Sequence, residues 1–328
     1  MLPFRASLRL TLCGLLLAAS PAGAAPATVT LTHDDGTSRV PLNPARVVVL
    51  DEELLGWLYA LNLGSQVVGV GSGSRLQPAD LTAAGTVRPE VLKKGFFARG
   101  TLNPAAKFVG SWTAPSLETI LALKPDVILR STWDGNQTYA NLNRIAPTVS
   151  FKSATPGYWQ SGFRQVARLF GRQEQAEKVI KGVADNNRAN ARRLLAAGVF
   201  SKYPKVVAVS PFSGGTNYIA TKVRLIDDLR AMGFKDGYVP KASGVLGISQ
   251  IISDEALLNL DRKTLVVLYA PSGQYDGIAN FLKTVPGQRL KDQIVAYERE
   301  DYSPWAGPLV SVKTSNDLTR AILDFVKK

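Results

Sequence analysis

The chain has 328 residues, of which 45% are hydrophobic and 20% are charged. This balance excludes a fibrous or disordered chain, and the length suffices for two modest domains. The formal net charge is +13, from 39 Lys and Arg against 26 Asp and Glu. Because these charges are spread along the chain without a polybasic tail, an anionic small molecule fits better than nucleic acid or a membrane surface.

The first 24 residues are typical of a secretory signal peptide. Arg5 and Arg9 precede the apolar run 10–19, and residues 22–24 are small enough for cleavage. The apolar run is too short to span a bilayer. We therefore expect a mature chain that begins at Ala25, carries a net charge of +11 and resides in the periplasm or another extracytoplasmic space.

The cysteine and histidine counts limit the chemistry. Cys13 is the only cysteine and lies inside the apolar run of the signal, so the exported protein is predicted to have no disulfide, no cysteine–metal site and no lipid-modified cysteine. His33 is the only histidine, which excludes a multi-histidine metal site. A catalytic triad would require His33, and such a residue is more commonly a solvated loop residue.

The first elements alternate between strand and helix. The pattern predicts a hairpin over 29–42 with its turn at Asp35-Gly36, a strand over 47–50, a helix over 53–63 capped by Asp51, and a strand over 66–70. The glycines that follow read GxGxG with no helix after them, so a plain loop is favoured over a dinucleotide fingerprint. Strand, helix and strand in this order predict a parallel pair.

Residues 75–107 form a long segment that lacks helix or strand periodicity, and a loop of this length often borders a site. Its local charge is +4, from six cations against Asp80 and Glu90. Most of these cations are expected on a solvated surface, and some could reach a ligand. They are Arg75, Arg88, Lys93, Lys94, Arg99 and Lys107.

The segment 109–129 combines a turn, a short helix and a strand. Leu117, Ile120 and Leu121 fall at helical spacing and are expected to be buried, whereas Glu118 points away from them. Trp112 lies in the preceding loop. Because a large apolar ring in a loop is not needed for the core, Trp112 is expected to contact a ligand. By contrast, Trp57 is expected to be a core residue of an otherwise buried helix.

The remaining pattern predicts further α/β structure. Helices are expected over 139–145, 160–170, 174–197, 223–232, 253–260, 277–284 and 317–327, and strands over 148–151, 205–209 and 265–269. The helix 174–197 is the longest, with an apolar stripe that includes Val183, Leu194 and Leu195. It could act as a spine between two α/β halves.

The two halves contain a weak internal repeat. Glu118-TILALKPDVIL and Glu255-ALLNLDRKTLVVL both begin with a glutamate and continue through a short helix into an apolar strand. Either glutamate alone could serve to complement a helix dipole. Because the pattern occurs once in each half, it predicts a bilobed protein with pseudo-twofold symmetry. It also favours the interpretation that both glutamates are exposed and contact a partner.

Several runs carry a resemblance to a known family. They are PARVVVLDEELLGWLYALNLGSQVVGV, VGSWTAPSLETILALKPDVIL, LNRIAPTVSF, LIDDLRAMGF, ISQIISDEALLNL and SPWAGPLVSV. Together they resemble the helical-backbone class of periplasmic substrate-binding proteins, which serve ABC importers of ferric siderophores, haem and cobalamin. The resemblance covers essentially the whole mature chain and is specific for the superfamily, not for the ligand.

The resemblance implies an α/β fold of two Rossmann-like lobes joined by a single long α-helix, with a ligand cleft between the lobes. It places a signal peptide at 1–24, an N-terminal lobe at 25–170, a connecting helix at 171–199 and a C-terminal lobe at 200–328. It also implies that Glu118 and Glu255 dock on arginines of a permease.

The residues expected to line the cleft are aromatic and basic. Trp112 replaces a basic residue of the family, and Arg224 and Trp305 match ligand-binding positions, although Arg224 could equally be a structural salt-bridge partner. The complete predicted set is Trp112, Trp133, Arg224, Trp305, Tyr218 and Phe212.

These observations predict a monomeric, non-enzymatic binding protein for an anionic ferric siderophore, with no resident cofactor and with iron bound only as the chelate. A haem- or cobalamin-binding protein of the same importer class is the first alternative, although His33 lies far from the cleft. A secreted α/β enzyme is the second alternative, and against it the sequence lacks a nucleophile elbow and a phosphate loop. The third alternative is a bilobed scaffold protein that binds no ligand.

Overall fold

A computed structural model describes residues 27–72, 75–132, 138–152, 158–212, 214–240, 249–270, 276–297 and 307–327. The predicted signal peptide and the predicted site residues Trp133 and Trp305 lie outside these ranges.

The N-terminal half alternates strands and helices. Its strands are β1 (Thr28–His33), β2 (Gly36–Pro41), β3 (Val47–Val49), β4 (Val67–Val70), β5 (Lys107–Phe108), β6 (Val127–Thr132) and β7 (Thr148–Lys152). Its helices are α1 (Glu52–Ala60), α2 (Pro89–Leu92), α3 (Leu117–Leu123), α4 (Tyr139–Ile145) and α5 (Tyr158–Leu169), followed by the long helix α6 (Gln173–Ala196).

The C-terminal half repeats this style. Its strands are β8 (Lys205–Pro211), β9 (Asn217–Ala220), β10 (Lys235–Asp236), β11 (Ser249–Ile251), β12 (Thr264–Tyr269) and β13 (Ile294–Tyr297). Its helices are α7 (Val199–Lys202), α8 (Arg224–Ala231), α9 (Asp254–Leu258), α10 (Asp276–Phe281), α11 (Val285–Arg289) and α12 (Gly307–Val326).

Two sheets form the cores of the two lobes. The first has five parallel strands in the order β5-β4-β3-β6-β7. The second has the order β11-β9-β8-β12-β13, in which β8, β12 and β13 are parallel, β9 and β11 are antiparallel, and β10 pairs with β8. Continuous apolar strands such as β3 and β12 are buried on both faces, as parallel sheets covered by helices require. The predicted α/β fold of two Rossmann-like lobes is confirmed.

Helix α1 is buried on every side. The Asp51 carboxylate accepts a hydrogen bond from the Leu54 amide (3.0 Å) and caps the helix as predicted. Trp57 is fully buried, with ring contacts to Phe151 (5.1 Å) and Phe163 (6.2 Å), so its prediction as a core residue is confirmed. The helix ends at Ala60, earlier than predicted, because Asn62 adopts a left-handed conformation (φ +60) and the Leu63 amide donates back to the Leu58 carbonyl (2.8 Å).

Helix α6 contributes to the cores of both lobes. Ala176 and Val183 pack in the N-terminal core, and Leu194 packs in the C-terminal core. The prediction of Leu195 in the buried stripe is wrong, because its side chain is 66% exposed. The buried face of this part of α6 includes the polar residues Asn187 and Asn190. Asn187 forms a hydrogen bond with α8 and Asn190 forms one with α12, so this part of α6 packs on helices and not on a sheet.

Helix α12 crosses between the lobes a second time. It packs on α1 of the N-terminal lobe and on α6, α8 and β13. The sequence predicts only its second half, because the first half buries small polar residues, among them Ser311, Thr314 and Ser315, in place of an apolar stripe. Asn186 donates a hydrogen bond to Ser315 (2.7 Å), which fixes α12 against α6.

The N-terminal hairpin differs slightly from its prediction. His33 pairs with Gly36, so the two turn residues are Asp34 and Asp35 rather than Asp35 and Gly36. His33 ends a strand and is half-buried, with its Nε2 3.0 Å from Ser38 Oγ, and burial lowers its pKa. It is therefore part of the packed hairpin and not a solvated loop residue. Within the described ranges, no helix is long and apolar enough to cross a membrane.

Candidate functional site

The carboxyl ends of the parallel strands in the N-terminal lobe form a rigid rim. Asp51 follows β3 and accepts a second hydrogen bond from the Ser131 amide (2.9 Å), which ties the ends of β3 and β6 together. Ser72 follows β4, donates to Glu52 and accepts from the amides of Arg75 (2.9 Å) and Leu76 (3.1 Å). Ligands of open α/β sheets bind at this edge, so we expect the site here.

Four side chains meet between the lobes, and we call them the interlobe cluster: Glu53, Tyr158, Trp159 and Arg224. Glu53 Oε1 lies 3.8 Å from Arg224 Nη2, and the Tyr158 hydroxyl donates a hydrogen bond to Glu53 Oε2. The Arg224 guanidinium carbon lies 4.3 Å from the centre of the Trp159 ring. The Glu53 and Arg224 side chains are only 2% and 8% exposed, so this contact between the lobes is almost dry.

Burial dominates the electrostatics of the interlobe cluster. It raises the pKa of Glu53 to about 8, although Arg224 and the Tyr158 hydroxyl act in the opposite direction. Burial and the adjacent Glu53 also hold the pKa of Tyr158 well above its usual value. Glu53 therefore carries a proton over much of the neutral range, which weakens its ion pair with Arg224.

A second buried acid lies close to Arg224 on α8. Asp228 accepts hydrogen bonds from Ser311 Oγ (2.5 Å) and Asn187 Nδ2 (2.9 Å), so it joins α8 to α12 and α6. Burial raises the pKa of Asp228 to about 6, and the positive charge of Arg224 opposes this rise. Arg224 therefore interacts with acids from both lobes. Its position fits either alternative given by the sequence, a ligand contact or a structural ion pair.

Phe212 and Tyr218, two of the predicted ligand residues, lie together at the end of β8 and the start of β9. Their rings meet edge to face with centres 4.8 Å apart. The Phe212 amide donates to the Thr216 carbonyl (2.9 Å), which closes the turn between the two strands. Helix α10 packs tightly beneath this turn, because a Cβ added at Gly277 would lie 2.0 Å from the Pro211 carbonyl oxygen. The pair is held on a fixed rim of the C-terminal lobe.

Trp112 lies in the tight turn between β5 and α3 and is half-buried. Gly110 begins this turn with φ +89, and its carbonyl accepts a hydrogen bond from the Ser72 amide (3.1 Å). The turn is thereby tied to the rim that follows β4. Trp112 stays a predicted ligand residue on the N-terminal side.

The basic segment 75–107 uses several cations within its own structure. The guanidinium of Arg75 stacks on the Phe96 ring at 5.6 Å, and Arg88 donates to the Leu81 carbonyl at 3.0 Å. Lys107 donates to the Ala84 carbonyl. Lys93 and Lys94 are exposed. The segment thus forms a structured layer in which only part of the positive charge is directed to solvent.

The predicted docking residues occupy matching places in the two lobes. Glu118 on α3 and Glu255 on α9 are both exposed, and neither has an ion pair within the described residues. Each helix begins after a serine cap, since Ser116 Oγ accepts from the Thr119 amide (3.3 Å) and Ser253 Oγ accepts from the Ala256 amide (3.1 Å).

The apolar side of α3 is narrower than predicted. Ile120 is fully buried, but Leu121 is 60% exposed, so the prediction that Leu121 is buried is wrong. The same holds in α9, where Leu257 is fully buried and Leu258 is 41% exposed. Both helices are short and contact their sheet along one line of side chains, which leaves the next residue in solvent.

The interlobe cluster contains residues that sequence patterns did not single out. These residues are Glu53, Tyr158 and Trp159 of the N-terminal lobe, and the neighbouring Asp228 on α8 was not singled out either. One signal was available, because consecutive carboxylates at 51–53 open a helix that is otherwise almost wholly apolar. Carboxylates buried in such a helix require polar or cationic partners elsewhere in the fold.

Comparison with known proteins identifies the family. A family profile described as periplasmic binding protein matches residues 47–289. This range includes every strand of the two lobe sheets except β13, and the N-terminal hairpin also lies outside it. The chain is 34% identical over 153 residues to the Fe(3+) dicitrate-binding periplasmic protein FecB of Escherichia coli, covering 47% of this chain and 44% of FecB. It is 27% identical over 151 residues to the Fe(3+)-citrate-binding protein YfmC of Bacillus subtilis, covering 45% and 42%. The aligned region thus spans less than half of each relative.

Solved structures share the fold over nearly the whole chain. Staphylococcus aureus SirA complexed with staphyloferrin B gives a TM-score of 0.68 at 20% identity, covering 90% of this chain and 98% of SirA. Bacillus subtilis FeuA complexed with ferri-bacillibactin gives 0.67 at 18% identity, covering 91% and 98%. These similarities show the bilobed fold.

Proposed function

The chain belongs to the periplasmic binding protein family, and we propose on this basis that it captures a ferric siderophore outside the cytoplasm and delivers it to an ABC permease. The observation that carries the proposal is the family match across both lobes. The names of the relatives support a ferric chelate, since FecB binds ferric dicitrate and YfmC binds ferric citrate. The net charge, +13 for the whole chain and +11 after removal of Arg5 and Arg9 with the proposed signal peptide, favours an anionic complex.

The proposed ligand site lies between the rims of the two lobes. Trp112 would contact the ligand from the N-terminal side, and Phe212 and Tyr218 from the C-terminal side. Arg224, which lies 3.8 Å from Glu53 at the base, would supply positive charge and guanidinium donors. Flat aromatic faces and guanidinium donors suit a bulky anionic chelate. Trp133 and Trp305 complete the proposed set from the sequence resemblance alone.

Tryptophan fluorescence tests this proposal. We would titrate the purified mature protein with ferric catecholate, hydroxamate and carboxylate siderophores, haemin and cobalamin. We expect saturable quenching by at least one anionic ferric siderophore. Quenching by haemin or cobalamin alone would refute the siderophore assignment in favour of the other ligands of this importer class.

Site variants refine the same experiment. Trp112→Ala should weaken the bound siderophore about tenfold, as truncation of an aromatic contact at a binding site commonly does. Leu195→Ala on the exposed side of α6 is the matched control and should bind normally. Arg224→Ala should weaken anionic siderophores more than neutral ones, and an equal loss for both would point to a structural role.

The proposed docking residues are Glu118 and Glu255. Exposed carboxylates on rigid helices form charge-assisted hydrogen bonds with arginines of a partner. The double variant Glu118→Ala/Glu255→Ala should keep its ligand affinity and lose uptake in a cell-based transport assay. Normal uptake would show that the two residues only stabilise the starts of their helices.

Export and the absence of catalysis belong to the same proposal. We propose that a signal peptide is cleaved before Ala25 and that the mature protein is monomeric and carries no lipid. Mass spectrometry of the exported protein checks the cleavage point, and a lipid-modified N-terminus would contradict it. Incubation with the bound ferric siderophore should return the ligand unchanged.

A further inference from the structure

Two exposed leucines accompany the two exposed glutamates. The segments SLETILAL (116–123) and SDEALLNL (253–260) align without a gap, and each is followed at the same spacing by the fourth strand of its sheet, β6 or β12. Their burial patterns also agree. Ile120 and Leu257 are 0% exposed, whereas the next residues, Leu121 and Leu258, are 60% and 41% exposed.

Four positions of this repeat are identical, and folding explains two of them. The serines cap their helices, and the last leucines pack towards the sheets. The other two positions hold Glu118 and Leu121 in one lobe and Glu255 and Leu258 in the other. All four of these side chains point into solvent, so the fold itself gives no reason for their repetition.

The spacing places each leucine beside its glutamate. Residues i and i+3 of a helix are neighbours, with Cβ atoms about 5–6 Å apart. Each lobe therefore presents one carboxylate next to one apolar side chain on a short, capped helix. A partner that fits such a surface needs a cationic side chain adjacent to an apolar pocket, and it needs this arrangement twice.

We propose that Leu121 and Leu258 are contact residues for the permease and insert into apolar pockets beside the cations that bind Glu118 and Glu255. The inference rests on the proposed role in import. In this contact the carboxylates orient the protein on the permease and attract it through charges that salt screens. The leucines form the part of the contact from which water is excluded. The occupant of this surface is the membrane-embedded permease, because charge complementarity and the presence of one such pair on each lobe fit a partner that contacts both lobes together.

Alanine variants isolate the leucines without harming the fold. Alanine has the highest helix propensity, so Leu121→Ala and Leu258→Ala should fold normally. Leu195→Ala is the matched control, since Leu195 is 66% exposed on α6, outside the repeat. Binding of each full-length mature variant would be measured by biolayer interferometry on the purified permease complex of the same cell, held in lipid nanodiscs.

We expect Leu121→Ala and Leu258→Ala each to weaken permease binding about tenfold, because each variant removes apolar area from the buried part of the contact. The Leu195 control should bind as the unmodified protein does. The effect of the leucine variants should persist in high salt, whereas the effect of Glu118→Ala and Glu255→Ala should shrink, because salt screens exposed charges.

The outcomes separate this inference from the proposed function. If both leucine variants bind like the Leu195 control while the glutamate variants bind weakly, docking depends on charge alone and the leucine contact is refuted. If no siderophore quenches the tryptophan fluorescence, the proposed ligand is wrong, and the effect of the leucines on permease binding can still be measured.

Discussion

Replacement of Arg224 by alanine should make the stability of the protein fall more steeply with pH in the alkaline range. Arg224 Nη2 lies 3.8 Å from Glu53 Oε1, and at an effective dielectric constant of 20 this separation corresponds to about 4 kcal/mol of attraction. Without the guanidinium, the pKa of Glu53 should therefore rise far above 8.

The sign follows from proton binding. The Glu53 carboxyl has an ordinary pKa of 4.5 and a folded pKa of about 8, so the folded state holds an extra proton between these values. The contribution of Glu53 to stability therefore falls as the pH rises from 4.5 to 8, and it is constant above 8. In Arg224→Ala the fall continues above pH 8, at about 1.4 kcal/mol per pH unit.

Urea unfolding at several pH values measures this difference. Near pH 6 the variant should already lose about 1–2 kcal/mol through the missing contact with Trp159. Near pH 9.5 the difference from the unmodified protein should be larger by about 2 kcal/mol. Arg230→Ala on the same helix is the control, because its pairs with Asp227 and Asp236 are at the surface and its effect should not depend on pH over this range. A pH-independent difference for Arg224→Ala would refute the coupling to Glu53.

Four further variants test packing, burial and capping. Gly162→Ala should lower the free energy of unfolding by about 1–3 kcal/mol, because the added carbon would lie 2.6 Å from the Trp57 ring, whereas Gly182→Ala on α6 meets nothing within 4 Å and should raise it by about 0.5–1 kcal/mol. Equal melting temperatures would contradict this. Asp228→Asn should reduce the loss of stability that the unmodified protein shows as the pH rises from 3.8 to about 6, since burial raises the pKa of Asp228, and the part due to Glu53 should remain. An unchanged slope of stability against pH in denaturant titrations would exclude this assignment. Ser116→Ala should cost about 1 kcal/mol through loss of the cap, and an unchanged melting temperature would show that water replaces it.

The elements that sequence patterns predicted well are those with local causes. Helix α4 has the predicted bounds, and the cap at Asp51 and the exposed Glu118 are as expected. Trp57 was assigned to the core because it lies among leucines. Each of these features depends on a few neighbouring residues, so periodicity and capping are sufficient to predict it.

The features that sequence patterns missed depend on residues far apart in the chain, or on how closely a short helix packs on its sheet. Glu53 and Arg224 meet from opposite lobes, and nothing in the sequence around either residue identifies the other. Leu121 lies at helical spacing from Ile120, but burial in a short helix depends on how the sheet beneath it is placed. The first half of α12 buries small polar residues, which hydrophobic periodicity does not detect.

The path of α12 has a consequence for the order of folding. Helix α1 becomes fully buried only when α12 packs on it. Helix α12 is synthesised long after α1, because it lies at the end of the described chain. The early part of the chain can form its sheet as it emerges, but it keeps an uncovered apolar helix until residues 307–326 arrive. Native packing around α1 is therefore completed only after residues 307–326 have been synthesised. Once α12 docks, both lobes should unfold together in a single thermal transition.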